Sequence, residues 1–293
     1  MPVPRAVLYM AASALAFSAM AVFVKLANER LPMGEVVLAR AVITLAASYV
    51  LVVRARIPIW GTNKRGLVFR GLVGFAGLST YYVSLAHLPL ADAMTIQQTV
   101  PLITTVFAYF ILGEPIGKAT VFALACGIVG VVIVVHPSGS GFDPVGVATG
   151  VGAAVTSSIA YVTVRQLGRT EHPYVIVFYF PLIATPLIVP WAAATWVTPA
   201  PMDVLVLILV GLSTQLGQVF LTKALMIESA GRAMSIGYLQ IAFAIVWQWS
   251  VFGAAPTVWT LGGAALIVLG TVVVSRAVAG SPTRTPRSPD RSG

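Results

Sequence analysis

Charge is scarce in this chain of 293 residues: 9% of it is Asp, Glu, Lys or Arg, and only nine side chains are acidic. Soluble domains carry about 25% charged residues, so a soluble fold does not fit. Every acidic side chain (Glu29, Glu35, Asp92, Glu114, Asp143, Glu171, Asp203, Glu228 and Asp290) falls near the end of an apolar run or beyond it. A proton relay through a mid-membrane carboxylate therefore has no support. Cys126 is the only cysteine, which rules out an internal disulfide. The three histidines, at 87, 136 and 172, are isolated, so no metal-ligand cluster is legible and each reads as an interfacial or loop residue. Gly113 to Lys118 reads GEPIGK, without the spacing of a phosphate-cradling loop. ATP-driven transport by this chain alone is thereby excluded. The absence of GxSxG and HExxH weakens an enzymatic reading, and no cofactor is expected.

What the chain has in abundance is apolar length: 58% of it is hydrophobic and its mean hydropathy is +0.92. A hydrocarbon core about 30 Å thick needs about 20 helical residues. Runs of that kind lie near 6–26, 33–53, 67–88, 90–112, 117–136, 144–166, 173–194, 203–226, 229–252 and 256–277, ten in all. The uncharged stretch from Ala233 to Ser275 is too long for one span, and Gly253-Ala254-Ala255-Pro256 marks its break. Asp143-Pro144 reads as an N-cap followed by proline at the first helical position, where the missing N–H costs nothing. The first 26 residues resemble a signal peptide, but their counterpart lies mid-chain at 146–166, so they are expected to be retained.

The ten spans are two copies of five. Residues 10–135 match 150–275 at a constant offset of 140, with Gly71/Gly211, Gly77/Gly217, Gly113/Gly253 and Gly130/Gly270 identical, and Ala93-Met94-Thr95-Ile96 recurring as Ala233-Met234-Ser235-Ile236. An odd number of spans per copy forces the two copies into opposite orientations, an architecture shared by many secondary transporters. The expected units are 1–138 and 139–278, followed by a disordered basic tail over 279–293. Orientation follows from the basic residues, because short positively charged loops stay in the cytoplasm. One side collects Arg5, Arg54, Arg56, Lys64, Arg65, Arg70, Lys118, Arg165, Arg169, Lys223, Arg232, Arg276, Arg284, Arg287 and Arg291, and the other only Lys25 and Arg30. Both termini are therefore expected to be cytoplasmic. The net charge of +9 is spread over loops and tail, which suits anionic lipid and not nucleic acid.

Inverted copies present related faces to a site between them. Phe75, Leu78 and Tyr82 form an i, i+3, i+7 stripe in the third span, and the matching Gln215, Gln218 and Thr222 repeat it in the eighth with polar chemistry. Gln98 in the fourth span corresponds to Tyr238 in the ninth, while Ser158, Tyr161 and Arg165 share a face of the sixth. All of these except Arg165, together with Arg40, are the candidate substrate-binding residues, with the alternative that they only join helices at about 0.6 kcal/mol per hydrogen bond. Arg40 stands about 10 Å inside the second span. It attracts a substrate carboxylate, or else it reaches the outer headgroups or pairs with Glu35. Prolines 181, 186 and 190 in the seventh span give either a fixed kink or a hinge.

Within the half-chain 81–135, the run YYVSLAHLPLADAMTIQQTVPLITTVFAYFILGEPIG resembles the EamA unit of the drug/metabolite transporter superfamily. The resemblance extends over nearly the whole chain, with the LGE end of the fourth span and the ten-span duplication as its more specific marks. The second copy departs from it, since Ala254 stands where Glu114 would be. The resemblance implies an all-α integral membrane protein of ten transmembrane helices in two inverted five-helix repeats, placed in the inner membrane. It also implies a carrier that moves small metabolites by alternating access, through a cavity lined by spans one, three, four, six, eight and nine. Amino-acid exporters of the YddG kind are the members it is most similar to. An amphipathic amino acid, aromatic or otherwise neutral, suits a chamber with aromatic and amide walls. A carrier for a nucleoside, a vitamin or a cationic drug is the rival reading, followed by a lipid flippase or a membrane enzyme.

Overall fold

The structure, a computed structural model, describes residues 4–135, 143–253 and 255–279. The expected tail, the junction at 138/139 and His136 lie outside the described residues. Among the described residues there are twelve helices and no strand: α1 (Arg5–Asn28), α2 (Met33–Arg54), α3 (Lys64–His87), α4 (Leu90–Gln97), α5 (Val100–Leu112), α6 (Lys118–Val135), α7 (Pro144–Leu167), α8 (Pro173–Ala194), α9 (Pro201–Ile227), α10 (Ala230–Ile236), α11 (Leu239–Phe252) and α12 (Val258–Ala279). Nine helical segments among them are long and apolar enough to cross a membrane, α4–α5 and α10–α11 each counting once. Helix α3 is as long as α1 but falls outside the nine, because Arg70 and the polar Thr80-Tyr81-Tyr82 interrupt its apolar length. Large apolar side chains point outward in number, with Phe110 76% and Val258 83% exposed, as a lipid-facing surface requires.

Helix ends follow local chemistry. The Asp143 carboxylate accepts from Val145 N–H at 2.8 Å and Gly146 N–H at 3.3 Å, and Pro144 occupies the first turn of α7. Helices α5 and α11 stop at Gly113 and Gly253, whose φ of 66° and 68° are left-handed and open to glycine at little cost.

Two breaks were not expected from the sequence. The spans anticipated at 90–112 and 229–252 are each divided at matching places, by Gln98-Thr99 and by Gly237-Tyr238. In the first, Pro101 has no N–H to offer the Gln97 carbonyl and its ring crowds that oxygen; next to it Gln98 N–H is shared between Met94 O and Thr95 O, and Thr99 N–H donates to Ile96 O at three-residue spacing. The second has Ile241 at the proline position, and there the break falls at Gly237, a poor helix former.

Packing repeats at the 140-residue offset. Helix α1 runs antiparallel to α9, with Tyr9 stacked on Phe220 at 6.1 Å near one end, Ser13 Oγ donating to Gly217 O at 2.9 Å, and Arg30, just past α1, 3.6 Å from Asp203 at the other end. Its counterpart α7 runs antiparallel to α3, joined by Ser84 Oγ donating to Gly146 O at 2.9 Å and by Gly66 against Leu167. Helix α1 lies parallel to α11 through Ser18 and Trp247, and α7 parallel to α5 through Arg165 and Glu114. Gly77 and Gly217 occupy equivalent close approaches: a methyl at Gly77 would lie 2.9 Å from Ser157 Oγ, and one at Gly217 2.8 Å from the ring of Phe17, which is the counterpart of Ser157. Antiparallel pairs α2–α8, through Gly34 and Trp191, and α6–α12, through Gly130 and Gly263, complete the bundle.

Candidate functional site

A cavity of about 310 Å³ opens where the two packed halves meet. Its walls come from α1, α3, α7 and α9, from the α4–α5 and α10–α11 breaks, and from one residue each of α2 and α8. The breaks matter because an interrupted ladder turns side chains and free backbone groups toward a chamber, the only depth at which irregular backbone is tolerated in a membrane. Gln97, Gln98, Gly237 and Tyr238 line the cavity there. The Tyr238 hydroxyl donates to Gln98 O at 2.9 Å, so two positions related by the repeat are bonded to each other across the middle of the protein.

Six of the eleven sequence candidates line this cavity: Arg40, Leu78, Gln98, Tyr161, Gln218 and Tyr238. The other five lie off it. Phe75 packs with Val37, Ala41, Ala184 and Ile188 in the α2–α3–α8 contact. Tyr82 turns its ring to Trp191, centroids 5.2 Å apart. Ser158 donates to Ala154 O at 2.7 Å and lies 3.2 Å from Val100 O, which places it in the α5–α7 joint. The Gln215 Oε1 accepts from Ser48 Oγ at 3.0 Å in the α2–α9 joint, and Thr222 is buried within α9. Stripes one residue aside supply the wall: Gly74, Leu78 and Tyr81 in α3, and the matching Thr214, Gln218 and Leu221 in α9. The sequence reading also passed over Gln97, Ser157, Phe180 and Gln240, for which the signal available was their place beside the breaks or on the chamber face of their helices.

The largest departure concerns Arg70, which the basic-residue count assigned to the cytoplasmic rim. It stands six residues inside α3, is 4% exposed, lines the cavity and lies with its guanidinium carbon 4.9 Å from the centroid of Phe180. Attraction to that ring offsets part of the cost of taking the guanidinium out of water. Its Nε makes no hydrogen bond to a described residue. Arg40, the other cation of the chamber, does not pair with Glu35, whose Oε2 accepts instead from Val197 N–H at 3.2 Å. The polar contact of Arg40 is with the Met20 sulfur at 4.0 Å. Among the described residues neither arginine forms an ion pair, and the cavity lining contains no Asp or Glu. The carboxamide oxygens of Gln97 and Gln218 are likewise buried without a described partner. The chamber thus offers two cations and amide oxygens free to accept, a lining that can hold an anionic group at one point and an ammonium at another.

Beneath the chamber, at the end where α5, α7 and α9 finish, Arg165 Nε donates to Glu114 Oε1 at 2.7 Å and its Nη1 donates to Leu225 O and Met226 O. The second oxygen of Glu114 accepts from Ala230 N–H at 2.7 Å, capping α10. One carboxylate and one guanidinium therefore tie four elements together. At the opposite end, His87 and Asp143 meet at 3.0 Å and Arg30 approaches Asp203 at 3.6 Å. Hydrogen bonds from His87 and from the Gly146 and Val145 N–H groups hold the Asp143 carboxyl below its ordinary value. Of the remaining expected loop residues, His172 caps α8 by accepting from Tyr174 N–H at 3.3 Å.

The profile of the EamA-like transporter family matches residues 4–136 and again 144–276. The pseudopaline exporter CntI of Pseudomonas aeruginosa (strain UCBPP-PA14) is 34% identical over 261 residues, covering 89% of this chain and 92% of that protein. Solute carrier family 35 member G1 of Mus musculus is 31% identical over 220 residues, 70% of this chain and 60% of that one. A solved crystal structure shares the fold at a TM-score of 0.77 with 19% identity, covering 91% of this chain and 98% of the other.

Proposed function

The chain belongs to the EamA-like transporter family, and on that premise we propose that it is a secondary carrier of amino acids that works by alternating access and exports them across the inner membrane. The family and these relatives are transporters and not enzymes, and the chain is a multi-pass membrane protein. Ten spans, as two inverted five-span repeats, form the proposed scaffold. Its support is that α1 and α7, although matched in sequence, run in opposite senses: α1 is antiparallel to α9 and parallel to α11, and α7 bears the same relations to α3 and α5. The basic residues of the loops support a cytoplasmic position for both termini. Export is taken as the direction from the name of the Pseudomonas relative.

The observation that carries this reading is the chamber between the repeats, whose lining pairs guanidinium groups with unpartnered carboxamides. A zwitterion has a use for both, because its carboxylate accepts from Arg and its ammonium donates to an amide oxygen. A cationic drug fits poorly, since no carboxylate lines the cavity. Glu114 and Arg165 close the cytoplasmic end in this reading, and their separation accompanies opening to that side. The test is counterflow in sealed proteoliposomes with labelled amino acids. Uptake driven by the same unlabelled compound inside is expected; no counterflow of any amino acid overturns the amino-acid assignment.

A further inference from the structure

Arg70 is an expensive residue with no internal account to settle it. A buried guanidinium normally has a carboxylate partner, because an unpaired charge in a low-dielectric site is strongly disfavoured. Here the charge is 4% exposed, a ring face is its main described neighbour and its Nε is unbonded. Arg40, only partly buried, also lacks an ionic partner: it lines the same cavity, and its polar contact is a thioether. The two enter from opposite ends of the bundle. Arg40 is seven residues from the start of α2 and Arg70 six from the start of α3, and these starts lie at opposite ends because consecutive helices alternate in direction. At 1.5 Å per residue each stands about 10 Å in, so within a core about 30 Å thick they sit at two depths on either side of the middle. Tyr161, which lies in the field of both guanidiniums, lines the cavity as well.

We infer that Arg40 and Arg70 each take one carboxylate of the same substrate, so that the chamber is built for an acidic amino acid or another small dicarboxylate. Two cations at separate depths, with no anion in the wall, are neutralised by two carboxylates several ångströms apart on one molecule. A neutral amino acid leaves one guanidinium unpaired. An amino group on the substrate is accommodated by the amide oxygens of Gln97 or Gln218, and a dicarboxylate lacking it leaves those oxygens as they are. Arginine suits the task better than lysine, because its planar fork meets a carboxylate with two parallel hydrogen bonds.

This inference rests on the carrier reading above, and the experiment separates their failures. Wild-type protein in sealed liposomes is assayed for counterflow of labelled glutamate, with unlabelled glutamate, succinate, alanine, leucine and putrescine as competitors. Purified protein in detergent is melted in parallel with the sodium salts of glutamate and succinate and with alanine and putrescine hydrochloride. Glutamate and succinate are expected to compete at concentrations about ten-fold or more below alanine, the factor that one lost charge-assisted pair implies. Putrescine is expected not to compete, and the two dicarboxylates alone are expected to raise the melting temperature. Arg70→Gln and Arg40→Gln, each checked for a wild-type melting temperature, lose this preference for dicarboxylates, while Arg70→Lys keeps part of it. Equal or stronger action of alanine or leucine in the wild type overturns the inference and leaves the carrier reading intact, even if both Gln variants fail to fold. Stabilisation by the dicarboxylates without counterflow of any compound upholds the binding pair and overturns the carrier.

Discussion

Replacing Gly127 by alanine adds one methyl group in α6, at a residue outside the lining of the chamber, and still disturbs it. The new carbon would lie 2.8 Å from Cγ of Tyr238 and nearer still to its Cδ2 and Cε2, where ordinary contact begins at 3.4 Å. The ring has to retreat by at least about 0.6 Å. It has nowhere to go cheaply, being 2% exposed and tethered through its hydroxyl to Gln98 O at 2.9 Å. Overpacking costs about 1 to 3 kcal/mol and a lost neutral hydrogen bond about 0.5 to 1.5, while alanine returns up to about 1 kcal/mol of helix propensity. The net expectation is a loss of about 1 to 3 kcal/mol together with impaired transport, since the Tyr238–Gln98 link joins the two breaks. Thermal unfolding of the purified protein, alongside flux in liposomes, reads both effects. Gly262→Ala in α12, where a methyl meets nothing within 4 Å, is the control and should be neutral or stabilising. In a Tyr238→Ala background Gly127→Ala should cost nothing, because the obstruction is gone. A Gly127→Ala protein that melts and transports as wild type does would refute the packing argument.

Glu114→Gln removes the charge that Arg165 faces at 14% and 23% side-chain exposure; about 1 to 3 kcal/mol is expected from the weakened charge-assisted bonds, with faster hydrogen exchange at Ala230 N–H. Unchanged exchange there would remove Glu114 as a tie between α5 and α10. The carboxyl of Asp143 is depressed chiefly by the His87 hydrogen bond, so its contribution is complete above the ordinary value of 3.8 and is lost as pH falls through the lower folded value. Exchange of Val145 and Gly146 N–H should therefore accelerate in strong acid and should lose that acid step in Asp143→Asn; the same acid step in the variant would contradict it. Gln215→Leu breaks a joint with Ser48 and should cost about 0.6 kcal/mol with little change in flux, whereas Gln218→Leu, on the chamber wall, should depress flux. The reverse order of effects on flux would mean that the chamber face of α9 has been misassigned.

The all-helical, membrane-spanning character, the duplication and the Asp143-Pro144 helix start were readable from residues, because apolar length, a fixed offset and capping chemistry act locally. The face of each helix toward the chamber was harder. In soluble proteins polar and apolar residues separate water from core, but here the lipid side and the helix joints accept apolar residues equally, so period alone left a one-residue ambiguity. Matching the halves did select equivalent positions, yet it chose 75 and 82 where 74 and 81 line the wall. Gln215 was misleading for a physical reason, since an amide satisfies Ser48 as well as it would a substrate. Arg70 was grouped with Lys64 and Arg65 as surface charge, although it stands about one and a half helical turns further into α3. The helix breaks depended on one proline in the first repeat and one glycine in the second, signals too small to outweigh predominantly apolar runs of more than twenty residues.

In the proposed transport cycle the chamber between the two halves opens in turn to each side of the membrane. With the buried Cys126 replaced by alanine, a single cysteine at Ser157 on the chamber wall can be challenged in sealed vesicles by a membrane-impermeant thiol reagent applied from one side or the other. Reaction is expected from both sides, each slowed by glutamate. Reaction from one side alone under every condition, or from neither, would contradict the account.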